Sequence, residues 1–274
     1  MTKDMSLDDL IDNAYRLFAA YPAPGELLAC THCMVVAEQE QARALAVRNI
    51  PAELFWRYHH AAYMGRTPLQ EVKHFLPRYL DLISRFQEEG ALCLETALTR
   101  LPRIDYKEGG ALTYSRLDPG EWKPEEFSLL HAWARTFFSH CLSQYHDYKL
   151  FPGAPPIEAI DDILIMFAHG GFDLSPLLCL WEEDHRLTAL LHAKDLLLWG
   201  FNEAGTAMEN PFAEDDPELC ATLMNWLRTA KVRARFRQGC ETALARQAPV
   251  LDMAHGFHAG RTHREELKIM RQRL

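Results

Sequence analysis

Ser6-Leu7-Asp8-Asp9-Leu10-Ile11-Asp12-Asn13-Ala14-Tyr15-Arg16-Leu17-Phe18 is the first patterned stretch of the chain. Ser6 is a capping residue, and Leu7, Leu10, Ile11, Ala14, Leu17 and Phe18 recur at helical spacing, which leaves one face apolar. Pro22 and Pro24 end this helix. The same grammar repeats outward from it. A second helix is expected from Ala37 to about Val47, and Pro51 opens a third that runs from Ala52 to Met64 and closes at Gly65. Thr67-Pro68 starts a long helix to Glu89, stopped by Gly90, with Pro77 inside it to kink or split it.

Leu92 to Leu101 reads as a short helix. Pro102 to Pro124 is loop text, with Gly109-Gly110 and Asp118-Pro119-Gly120, and is the candidate for a hairpin, an excursion or an internal boundary. Helical text resumes from Glu125 to Tyr148, from Ile157 to His169 and after Ser175-Pro176. It continues from His185 to Phe201, from Pro217 to about Ala245, and in a basic C-terminal helix from Thr262. Alternation at period two is absent. The expectation is therefore an all-α array or irregular bundle of about ten helices without significant sheet. It would form one domain over residues 1–274, with a basic C-terminal segment at 228–274. No motif recurs at a solenoid period.

At 274 residues, 48% hydrophobic and 24% charged, the composition is that of a globular protein. No apolar run is long enough to span a bilayer, and the N-terminus lacks the apolar core of a signal peptide. Seven cysteines, single apart from Cys30 and Cys33, point to reduced thiols in the cytoplasm. The charge of −9 is unevenly placed, since 228–274 carries +7 and 1–227 carries −16. So acidic a body disfavours nucleic acid and favours a basic partner.

Three chemistries are open to the residue types present. Structural zinc needs four soft ligands, and Cys30-Thr31-His32-Cys33 supplies one knuckle. Its partners would come from His32, His59, His60, His74 or Cys93, and Cys30, Cys33 and His74 are the candidate set. His59 and His60 are adjacent on a helix, so at most one of them faces the knuckle. Packing of two small thiols and a redox pair are the alternatives. A helical di-iron site uses two Glu-x-x-His motifs, matched here by Glu71/His74 and Glu182/His185. With 13 His and 22 Glu in the chain, chance alone supplies about one such match. A nucleophilic or phosphate-binding enzyme has no signature here: G-x-S-x-G, H-E-x-x-H, the P-loop and G-x-G-x-x-G are all missing.

The aromatics Trp56, Tyr58, Tyr63, Phe75, Tyr79 and Phe86, and later Trp133, Phe137, Phe138 and Tyr145, are expected in the core. An exposed aromatic groove is the alternative. Lys231, Arg233, Arg235 and Arg237 read as a charged helix flank, solvated or packed against acidic neighbours.

The order Phe18…Tyr21-Pro22-x-Pro24…Cys30-x-x-Cys33, then Ala61-Ala62…Gly65, then His74-Phe75-Leu76-Pro77-Arg78-Tyr79-Leu80-Asp81-Leu82 resembles a group of uncharacterised bacterial helical proteins. The resemblance covers residues 14–85 and implies no activity. In style the whole chain is similar to immunity proteins of type VI secretion and other polymorphic toxin systems. That resemblance implies an acidic, cytoplasmic, non-enzymatic protein that binds and blocks one toxin.

The expected function is therefore neutralisation of a basic, nuclease-type protein partner. The expected contact surface is Asp161, Asp162, Glu182, Glu183 and Asp184. A metalloprotein with zinc or di-iron is the alternative from another class, and an adaptor that loads a secreted effector is the third.

Overall fold

The computed structural model describes residues 5–62, 67–86, 93–102, 104–106, 112–145, 160–214, 216–246, 248–252 and 261–274. These residues form an all-α protein with twelve α-helices. In chain order the helices are α1 (Leu7–Phe18), α2 (Val36–Ala44), α3 (Ala52–Ala61), α4 (Leu69–Ser84), α5 (Leu94–Ala97), α6 (Pro124–Ser143), α7 (Ile160–His169), α8 (Ser175–Glu183), α9 (Leu187–Trp199), α10 (Pro217–Arg228), α11 (Ala230–Ala245) and α12 (His263–Arg273). Single 3₁₀ turns lie at Val47–Asn49 and Pro249–Asp252. The loop-like text after Pro102 does hold a hairpin, in which β1 (Ile104–Tyr106) pairs antiparallel with β2 (Leu112–Tyr114).

Contacts group the chain into two compact units, residues 1–137 with 166–173, and residues 138–165 with 174–274. The chain passes from one unit to the other inside α6 and inside α7, not within 102–124.

In the first unit α1 packs along α4. The cap expected at Ser6 forms a reciprocal box: Asp9 N donates to Ser6 Oγ at 3.2 Å, and Ser6 N donates to the Asp9 carboxylate at 3.2 Å. Leu10, Ile11, Ala14 and Phe18 are buried, the inner face that the spacing marks. Helix α4 is buried on every side from Glu71 to Ile83, so it is the central rod of this unit. It runs through Pro77 without dividing. A proline inside a helix costs about 3 kcal/mol, and contacts all round the rod offset that loss.

In the second unit α9, α11 and α12 pack against one another, and α10 packs on α11. Trp181 is fully buried and donates from Nε1 to Ala189 O at 2.9 Å, with Trp226 at 5.1 Å and Phe138 at 5.9 Å between ring centroids. The helical segment read from Pro217 to about Ala245 holds two helices. Thr229 breaks it, capping α11 by accepting from Val232 N at 3.3 Å.

No helix among the described residues is long and apolar enough to cross a membrane.

Candidate functional site

Cys30-Thr31-His32-Cys33 forms a turn. Cys33 N and Met34 N donate to Cys30 O at 3.1 and 3.0 Å, and Cys30 N donates to Ala61 O at 2.7 Å, which ties the turn to the end of α3. None of the seven cysteines is in a disulfide, and Cys33 is exposed. A hydrogen bond with the Cys30 thiol pushes the Cys33 thiol up. His74 is buried on α4, where its Nδ1–H donates to Tyr21 O at 2.9 Å.

Among the described residues no three His, Cys, Asp or Glu side chains converge as a metal ion requires. Cys30, Cys33 and His74 therefore do not combine into the expected site. Two cysteines in one turn fix their own spacing, whereas His74 is held by a carbonyl of the Tyr21-Pro22 segment. The Glu-x-x-His pairs do not combine either. The Glu71 oxygens accept from Tyr58 OH at 2.7 Å and Leu28 N at 3.4 Å, and Glu182 in the second unit pairs with Lys231. Burial pushes the Glu71 carboxyl above the usual range, outweighing those hydrogen bonds.

The motif residues of the N-terminal third meet in buried polar contacts. Lys73 of α4 pairs with Glu126 of α6 at 2.8 Å, and both are buried. The Lys73 ammonium also donates to Glu121 O at 2.7 Å and lies 4.8 Å from the Trp122 ring centroid. Tyr21 OH donates a short hydrogen bond to Glu126. Burial raises the Glu126 carboxyl, but bonds from Lys73, Tyr21 and the Lys123 amide outweigh it and hold the group low. Burial and the Glu126 carboxylate push Tyr21 up to about 12. One turn onward, Arg78 Nη1 and Tyr15 OH both donate to Asp81 Oδ2, at 3.0 and 2.9 Å, and Arg78 Nε donates to Ile50 O at 3.0 Å.

A second polar group surrounds Arg100. Its Nε donates to His59 Nδ1 at 3.4 Å, Nη1 to Thr67 Oγ1 at 3.2 Å and Nη2 to Ala62 O at 3.3 Å. With Nδ1 accepting, His59 carries its proton on Nε2 and donates to Thr96 Oγ1 at 3.3 Å. Thr96 in turn donates to Cys93 O at 3.1 Å. Burial first, then Arg100 and His60, lower the His59 basicity well below that of a free imidazole. Of the adjacent pair, His59 is buried and His60 exposed.

In the second unit Lys194 of α9 is fully buried and pairs with the equally buried Glu266 of α12 at 2.6 Å, and with Asp195 at 2.9 Å. His263 Nδ1 lies 2.9 Å from the Lys194 ammonium, and Tyr145 OH donates to Asp195 Oδ2 at 2.7 Å. This cluster joins α9 to α12, and the sequence did not announce it.

The five acidic residues expected to face a partner have different surroundings. Glu182 pairs with Lys231, and the Asp184 carboxylate accepts from Arg186. Arg235 donates to the Asp184 carbonyl, and Arg233 to Leu274 O, so the alternating cations of α11 do not form one flank. Asp161 and Asp162, in the first turn of α7, accept from Asn210 Nδ2 at 3.3 and 2.6 Å. Glu183 is exposed.

The segment those aspartates hold is a compact loop over residues 200–214. Phe201 bridges to Met208, Asn202 Oδ1 accepts from Thr206 N at 2.9 Å, and Phe212 N donates to Asn210 Oδ1 at 3.0 Å. Met208 and Ala213 anchor the loop inward, whereas Phe212 is 47% exposed between the exposed carboxylates Glu209 and Glu214. Of the aromatics expected in the core, Trp56, Tyr58, Phe75, Tyr79, Phe86, Trp133, Phe137 and Phe138 are buried, whereas Tyr145 is half-buried. Tyr63 lies outside the described residues. Phe212, in contrast, is exposed. A lone aromatic in Asn210-Pro211-Phe212, flanked by acids and no apolar periodicity, is the signal that marks it.

Comparison with known proteins adds no relative: no family model, no curated protein and no solved structure matches this chain significantly.

Proposed function

We propose that this is a binding protein that neutralises a basic protein partner, in the manner of an immunity protein against a secreted nuclease-type toxin. We place its contact surface on the 200–214 loop of the second unit. The observation that carries the reading is Phe212, a half-exposed aromatic set between Glu209 and Glu214 on a loop fixed by Asn210, Asp161 and Asp162. Tight interfaces concentrate their energy in a few aromatic anchors ringed by polar groups, and a preorganised loop loses little entropy on binding.

Charge supports the same place. Residues 158–218 hold fourteen Asp or Glu against two Lys or Arg, a net of −12. Such a field speeds encounter with a basic surface, and a buried aromatic slows release. Among the five acids expected from sequence, Asp161 and Asp162 position the loop and Glu183 stays open to a partner. Glu182 and Asp184 serve the fold.

The test uses the purified product of the reading frame adjacent to this gene. Binding, together with protection of cells that express that product, supports the reading. Binding without protection marks the adaptor role instead. The absence of both binding and protection overturns it.

A further inference from the structure

The Arg100 guanidinium lines a cavity of about 220 Å³ in the first unit, together with Thr67, Leu69, Val72, Pro102 and Glu121. Arg100 is only 7% exposed, yet its three hydrogen bonds go to neutral acceptors at 3.2–3.4 Å, and among the described residues it makes no ion pair. Every other deeply buried cation among the described residues has a carboxylate in contact: Lys73 has Glu126, Arg78 has Asp81 and Lys194 has Glu266. Burying a charge without a counter-charge is costly, and natural folds avoid it unless the charge is used.

The nearby carboxylates are otherwise engaged or poorly placed. Glu71 exerts its field on the region, but its oxygens are taken by Tyr58 and Leu28. Glu121 also lines the cavity, and its carbonyl accepts from Lys73. The His59–Thr96–Cys93 chain accepts from Arg100 Nε, and the Tyr58 ring centroid lies 5.5 Å from the guanidinium carbon.

We infer that this cavity is a binding site for a small oxyanion-bearing molecule, with Arg100 as the group that recognises its carboxylate or phosphate. The planar fork of arginine suits a two-oxygen contact with either group. A volume of 220 Å³ is below that of typical drug-sized pockets, which limits the ligand to a small metabolite or a free anion.

The experiment is calorimetric titration of the full chain with inorganic phosphate, sulfate or acetate in a low-salt chloride buffer. Two variants accompany it, Arg100→Lys and Leu69→Trp. Leu69 is half-buried at the cavity wall, so filling the space there leaves the rod α4 in place. Saturable binding that weakens about tenfold or more in Arg100→Lys and vanishes in Leu69→Trp supports the site. Preference for phosphate and sulfate over acetate, or the reverse, names the headgroup. If Arg100→Lys does not fold, Leu69→Trp decides alone. No saturable binding of any of the three anions, or binding that Leu69→Trp leaves unchanged, overturns the inference.

Discussion

Lys73 shows why the N-terminal third carries a recognisable pattern without chemistry of its own. It is a cation on the central helix, buried, and matched by Glu126, Tyr21 and the Trp122 ring. Removing one member of a buried pair strands the other. Lys73→Met is therefore expected to lose about 3–5 kcal/mol in urea unfolding, and adding Glu126→Leu to it is expected to recover most of the loss. His59 offers a pH-dependent counterpart. Its folded basicity lies below that of the unfolded chain, so below about pH 6.5 the unfolded state takes up a proton that the fold refuses. Stability from this group is thus complete above that pH and declines as pH falls. Glu126, held low, adds a loss in the same direction at more acidic pH, whereas Glu71, held high, works the opposite way. The melting temperature of His59→Gln should therefore fall less than that of the native chain between pH 6.5 and pH 5, about the unfolded histidine value. Equal slopes would show that His59 is not the buried neutral group described. None of these partnerships was legible in sequence. Periodicity treats Lys73, Glu71, Arg78 and Asp81 as solvent-facing, and their partners lie on other elements, as Tyr21 and Glu126 show.

Helices were legible where a cap and an apolar stripe coincide, as at Ser6 for α1. Pro77 does not split α4, because burial on all sides of the helix outweighs local propensity. Thr229 was missed because the apolar pattern on both sides reads as continuous, although the chain turns there. The hairpin after Pro102 came from its glycines, but the way its exit is secured did not. Leu117 N donates to Gly171 O at 2.9 Å, and Gly171 has φ +76. A Cβ there would lie 2.6 Å from Ser115 O and 2.9 Å from Leu117 N, both backbone atoms. Gly171→Ala should therefore destabilise the first unit by more than about 1 kcal/mol, measured by denaturant midpoint at unchanged slope. An unchanged midpoint would mean that this contact between the β2 exit and the end of α7 yields freely.

Across the molecule, charge separates into two uses. The cations of 228–274 that composition sets against an acidic body are partly spent within the fold, through Lys231 to Glu182 and Arg264 to Asp252. Within residues 158–218 Glu182, Asp184 and Asp195 are paired, and the exposed Glu209 and Glu214 flank Phe212 in sequence. Composition made the acidic excess legible, but it could not say which carboxylates face inward, since that depends on contacts between distant elements. If the excess steers a basic partner, Glu209→Lys with Glu214→Lys should slow association and flatten its salt dependence while leaving dissociation nearly unchanged. The measurement that bears most directly on the proposed function is the dissociation rate of Phe212→Ala from the product of the adjacent reading frame, followed by surface plasmon resonance. A rise of about tenfold or more, with the melting temperature of the free protein unchanged, is the predicted result. A dissociation rate equal to that of the native chain would contradict the account.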